Sequence, residues 1–153
     1  MHWKTILVPH DFSSSANTAA ALARDEALLH GGRLLLLHVI DLPAHLRPDT
    51  AIIPSDTGAP LSVKDYAIAS AEEHLRDLAV RLHQDGVTAT PFIRIGTPVD
   101  EIIRFAEDNG ADVIVMGTHG RTGIRALIAG SVTERVVRAS PIPVLSVRGR
   151  EAD

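Results

Sequence analysis

The chain of 153 residues contains no cysteine, which excludes disulfides, thiolate nucleophiles and cysteine-ligated zinc. Lysine is almost missing. Lys4 and Lys64 are the two in the chain and neither follows a glycine-rich turn, so there is no P-loop lysine for a nucleoside triphosphate. The same shortage argues against a phosphorelay receiver, which would want a lysine at its last strand. Aromatic residues make up 3%, leaving few rings to stack on a flavin. No glycine lies between Pro9 and Ser15, so the turn after the first apolar run lacks the dinucleotide fingerprint. No serine sits in a Gly-x-Ser-x-Gly elbow and no His-Glu-x-x-His pair is present. The solid apolar runs Leu34 to Leu37 and Val113 to Met116 are four residues each, against about 20 for a membrane span. An excess of positive charge is also lacking: 15 basic against 19 acidic side chains give a net charge of −4. Sequence-independent nucleic-acid binding draws its affinity from Lys and Arg on phosphates, so no nucleic-acid partner is expected.

What is present fits one folded domain over residues 1–153. Hydrophobic residues are 45% and charged residues 22%, a globular balance. The start, Met1-His2-Trp3-Lys4, runs straight into an apolar stretch without the order of a signal peptide, and the expected location is cytoplasmic. Charge is unevenly placed. Residues 1–116 carry nine basic and sixteen acidic side chains, whereas residues 117–153 carry six arginines and three acids. An anion is therefore expected near the last quarter of the chain.

Apolar runs alternate with helical patterns. Trp3 to Val8 is β-rich. Ser14 to His30 carries Ala16, Ala20, Ala23 and Ala27 on one stripe. Leu34 to Val39 has the character of a strand buried on both faces. Ala67, Ala71, Leu75, Leu78 and Leu82 recur at helical spacing. Thr88 to Ile95 is a strand containing Pro91. Val99, Ile102, Ile103 and Ala106 give a helix face, Val113 to Met116 a strand, Val132, Val136 and Val137 a short helix, and Val144 to Val147 the last strand. Such alternation predicts an α/β domain, doubly wound, with helices on both faces of a five-stranded parallel sheet. Proline lacks a ladder donor and belongs at sheet edges. Pro91 thus places the third strand at one edge, Pro141 and Pro143 place the fifth at the other, and the order is 3-2-1-4-5. Residues 40–60 hold four prolines and show no periodicity; they are either a plain excursion or a lid over the end of the second strand.

In open α/β sheets ligands bind beyond the strand C-termini where the strand order reverses, here between the first and fourth strands. The segments to inspect are Pro9 to Ser13 and the stretch after Met116. The latter places Gly117, Gly120, Gly123 and Gly130 before Ser131. Glycine lets backbone N–H groups approach an anion, a helix N-terminus adds donors, and Ser131, Arg121 and Arg125 add a hydroxyl and charge. These residues describe a phosphate cradle, yet Ser131-Val132-Thr133-Glu134 is also a capping box that only starts a helix. Asp11 is equally double, either an N-cap or a partner for a ligand hydroxyl or amine. Of the eight histidines, His119 lies within the glycine segment and can touch phosphate. His38 ends a buried strand and reads as a structural hydrogen-bonding residue. No zinc site is expected.

These residues resemble the universal stress protein family, ATP-binding subgroup. The likeness runs from Ile6-Leu7-Val8-Pro9-His10-Asp11 to Pro143-Val144-Leu145-Ser146-Val147. Its most specific part is the motif Gly-2x-Gly-9x-Gly-Ser, which falls on Gly117, Gly120, Gly130 and Ser131 without departure. The resemblance implies an adenine nucleotide ligand, ATP ahead of AMP or ADP, with Mg2+ as a candidate companion. It implies that Pro9 and Asp11 line the adenosine side and that the Val39 backbone meets the base. Met116, Gly117, His119, Gly120 and Arg121 then lie by the ribose and phosphates, and Gly130, Ser131 and Val132 close on the phosphates. It also implies a homodimer through the last strand, which would otherwise be an open edge. No oriented nucleophile or bridging lysine is readable, so a nucleotide-dependent stress or signalling module with little or no hydrolysis is expected, acting on a protein partner the sequence does not name. The alternatives are a slow ATPase or phosphotransferase and a nucleotide-free dimeric adaptor.

Overall fold

The computed structural model describes residues 2–118 and 131–149. Strand β1 (Thr5–Pro9) leads into helix α1 (Ser14–His30), then β2 (Arg33–Ile40), a short β3 (Ala51–Ile52) and β4 (Leu61–Ser62), and α2 (Val63–Gln84). The second half runs β5 (Thr88–Ile95), α3 (Pro98–Asp108), β6 (Val113–Gly117), α4 (Val132–Ala139) and β7 (Val144–Val147). The main sheet has the order β5-β2-β1-β6-β7, and every neighbouring pair is parallel. Counting only its own strands, this is the expected order 3-2-1-4-5. Pro91 lies on the edge strand β5 and Pro143 immediately precedes the other edge strand β7, where a missing donor disrupts no central ladder.

Side-chain alternation along the strands divides the core. Ile6, Val8, Leu34 and Leu36 pack under α1 and α2, while Leu7, Leu35, Leu37 and Ile114 pack under α3 and α4. Strands covered on both faces read as continuous apolar runs, which is why β2 and β6 stand out in the sequence. Helix α1 buries Ala16, Ala19, Ala20, Ala23 and Ala27, small side chains that let it lie close to the sheet. It stops at Gly31, whose φ of 62° closes the helix with an N–H to the Ala27 carbonyl. At the same end of the sheet, the Asp112 carboxylate accepts from the Lys4 and Thr5 N–H groups, both at 2.8 Å. It thereby fixes the start of β1 against β6.

One expectation is corrected. Residues 40–60 are not unstructured: β3 pairs antiparallel with β4, Ala51 opposite Ser62 and Ile52 opposite Leu61. The hairpin is tied to the start of α2 by Val63 N–H to the Thr50 carbonyl and Lys64 N–H to the Pro48 carbonyl, at 2.9 and 3.1 Å. Two-residue strands are too short to carry a period. On α4, only Val136 of the three valines is buried; Val132 and Val137 are 38% and 49% exposed, because so short a helix turns one narrow stripe to the core.

Candidate functional site

A cavity of about 210 Å³ opens at the C-terminal ends of β1, β2 and β6. Seven residues singled out from the sequence line it: Pro9, Asp11, Val39, Met116, Gly117, Ser131 and Val132. His119, Gly120, Arg121 and Gly130 lie outside the described residues. Residues 41–62 contribute nothing to the lining, so the lid reading of that excursion finds no support. Sequence reasoning gave no site role to His10, Ser15, Pro98, Ile102 or Thr133, which also line the cavity. Pro98 and Ile102 come from α3, and their signal is the Gly96-Thr97-Pro98 turn at the end of β5. Thr133 is a buried hydroxyl in the first turn of α4, beside the charged Glu134 and Arg135.

The cavity floor is set by packing around Gly117. A Cβ built there would lie 2.6 Å from both the Ser15 carbonyl carbon and Oγ, and 2.7 Å from the Ser15 carbonyl oxygen. The first glycine of the motif is thus required by the start of α1, independently of any ligand. Its carbonyl accepts from the buried Thr133 Oγ1 at 2.6 Å, and the next N–H, that of Thr118, donates to the Val147 carbonyl at 2.8 Å. Strand β6 is therefore fastened at its end to α1, α4 and β7 together.

Ser131 resolves its two readings by filling both. It is the N-cap of α4, its Oγ accepting from the Glu134 N–H at 3.1 Å. A hydroxyl has a proton of its own besides its acceptor lone pairs, so the capping oxygen still has a donor to offer a ligand. Asp11, by contrast, is not the cap of α1. Ser13 is, accepting from the Ala16 N–H, because a cap must stand one residue before the first helical turn. Asp11 Oδ1 instead accepts from the Ser13 N–H at 3.0 Å and from the Ser13 hydroxyl at 2.5 Å, which braces the β1–α1 corner at the cavity wall.

His38 is structural in the expected sense, its Nδ1–H donating to the His10 carbonyl at 2.7 Å. His10 is itself 5% exposed. Burial pushes its imidazole below the ordinary histidine range, against the opposing influence of its hydrogen bond to Asn17 and the charge of Asp11. No lysine or arginine is among the described lining residues, so the donors on hand for an anion there include the Ser131 hydroxyl and the first N–H groups of α4. The described residues contain no cluster of three or more histidines and carboxylates suited to a metal. No described helix is long and apolar enough to cross a membrane.

Comparison with known proteins places this geometry. The sequence model of the universal stress protein family matches residues 2–148. The universal stress protein MJ0577 of Methanocaldococcus jannaschii is 32% identical, with 98% of each chain covered. A universal stress protein of Thermus aquaticus is 34% identical over 95% of this chain and 99% of its own. The solved structure of MJ0577 superposes with a TM-score of 0.80 at 31% identity, covering 99% of this chain and 100% of that one. A universal stress protein crystallised in complex with cAMP superposes at 0.68 with 25% identity, covering 97% and 99%. The chain belongs to the universal stress protein family.

Proposed function

We propose that this protein binds an adenine nucleotide, ATP in preference to AMP or ADP, in the cavity at the ends of β1, β2 and β6. It acts there as a cytoplasmic stress or signalling module that hydrolyses its ligand little. One observation carries this reading. Residues from three strand ends and the start of α4, far apart in sequence, converge on one cavity. That cavity has an apolar side at Val39 and Met116 for a base and a hydroxyl with helix N–H donors at Ser131 and Val132 for phosphates. The donor set fits a polyphosphate, because a neutral hydroxyl and helix amides hydrogen-bond an anion. That a universal stress protein of the same fold is solved in complex with cAMP supports an adenine nucleotide as the ligand. Mg2+ would enter with the triphosphate and screen its charge.

The described lining holds no lysine to bridge phosphates and no Gln or Glu to orient water. The purified protein, once denatured, is expected to release an adenine nucleotide identifiable by mass. Incubated with ATP, it is expected to turn over more slowly than about 1 s⁻¹. An empty protein that also gives no calorimetric signal with ATP would end the nucleotide reading, and faster turnover would convert it to an ATPase.

The edge strand β7 supports a homodimer. Its residues Val144 to Val147 are the last in the sheet order, and a second copy adding its own β7 would pair the open backbone. Light scattering at micromolar concentration is expected to give twice the chain mass; a single species of 16.4 kDa rules the dimer out.

A further inference from the structure

We propose that His10 is a positioning residue for the nucleotide site: as a neutral imidazole it holds the β1–α1 corner that presents Asp11, and protonation releases that corner and weakens binding. The inference rests on the nucleotide reading above.

Both ring nitrogens of His10 are committed. Nε2 lies 3.1 Å from Asn17 Oδ1, and Nδ1 accepts the Phe12 N–H at 3.1 Å. A backbone N–H can only donate, so Nδ1 must carry a lone pair and the proton must sit on Nε2 facing the Asn17 oxygen. An imidazolium has a proton on each nitrogen. Its Nδ1–H would then face the Phe12 N–H, donor against donor, and Phe12 would lose that acceptor.

Phe12 needs the support. Its φ is 66°, in the left-handed region that residues with a Cβ avoid. The conformation is held by that hydrogen bond and by the ring, which stacks on His38 at 4.5 Å and leans on His74 at 4.9 Å. Asp11 lies between His10 and Phe12 in sequence, lines the cavity, and is braced to Ser13 on the far side of the same turn. A corner that loses its His10 acceptor therefore loses the frame that aims the Asp11 carboxylate.

The surrounding charges set when this happens. Asp11 on the corner favours the proton, whereas His38 on β2 and Arg81 on α2 oppose it, and burial opposes it most. His74, also on α2, faces the Phe12 ring. The folded protein thus takes the proton less readily than the unfolded chain, whose histidine titrates at about 6.5. Above that pH both states are neutral and the corner is intact. As pH falls through it, the proton favours every form in which the corner is open.

The test is calorimetric titration of ATP into the wild type and His10→Asn between roughly pH 8 and pH 5. An asparagine oxygen can accept the N–H two residues on, as in an Asx turn, and does not titrate, while the ionisation of ATP is common to both proteins. Both are expected to bind at the upper pH. Towards the lower one the wild type is expected to lose about tenfold in affinity relative to the variant. Parallel profiles, or a wild type that gains on the variant in acid, overturn the inference and leave the nucleotide reading standing. Absence of binding by both at the upper pH overturns both. If His10→Asn does not fold, imidazole NMR of the wild type decides: a His10 midpoint coinciding with the fall in affinity supports the inference, and a different midpoint refutes it.

Discussion

Replacing Gly117 with valine is expected to destabilise the protein by about 3 kcal/mol or more, even with no nucleotide present. The argument is steric. The added Cβ meets Ser15 backbone atoms at 2.6 and 2.7 Å, and those atoms belong to the first turn of α1, which the Ser13 cap and the buried Ala16 and Ala19 hold in place. A flexible side chain could swing aside, but a helix backbone packed on the sheet can yield only by lifting, and lifting α1 opens the core around Ile6 and Val8. Valine adds two further methyl groups to the clash. For a chain of this size the loss corresponds to a fall of roughly 6–12 °C in Tm, read by calorimetry or circular dichroism. Gly117→Ala is expected to fall in the same direction by less. A ligand-free Gly117→Val protein melting with the wild type would show that the glycine serves only the approach of a ligand.

Ser131→Leu is expected to weaken ATP binding by about a hundredfold. Two effects add. The hydroxyl proton left over after capping disappears as a donor to phosphate, and a branched apolar side chain enters a cavity of about 210 Å³. The fold suffers less, because a lost N-cap costs about 1 kcal/mol and Ser131 stands at the cavity mouth rather than in the core. Ser131→Thr keeps both the acceptor for Glu134 N–H and the donor, and is expected to bind close to wild type. Isothermal titration of the three proteins against ATP separates the outcomes. Equal affinity in Ser131→Leu would remove this residue from the site.

Much of this architecture was legible because burial writes itself into composition. The unbroken runs of β2 and β6 announced central strands, and Pro91 and Pro143 announced the edges, since each follows from a local rule of hydrogen bonding. The site was legible where glycine spacing and strand ends coincide. The illegible parts depend on contacts distant in sequence. Nothing near Thr133 says that its hydroxyl meets the carbonyl of Gly117. The identity of the α1 cap was decided by which of Asp11 and Ser13 stands next to the first turn, a matter of one or two residues. His10 was hidden for a similar reason. Its importance comes from the unusual backbone of Phe12, and no spacing rule reports a positive φ at a phenylalanine.

The cavity draws its described lining from the three interior strands and from α1, α3 and α4, and takes nothing from β5 or β7. The two flanks of the sheet are thus separate from the described lining of the cavity. On the β7 flank, the described hydrogen bond from Thr118 N–H to the Val147 carbonyl ties the end of β6, which lines the cavity at Gly117, to the edge strand.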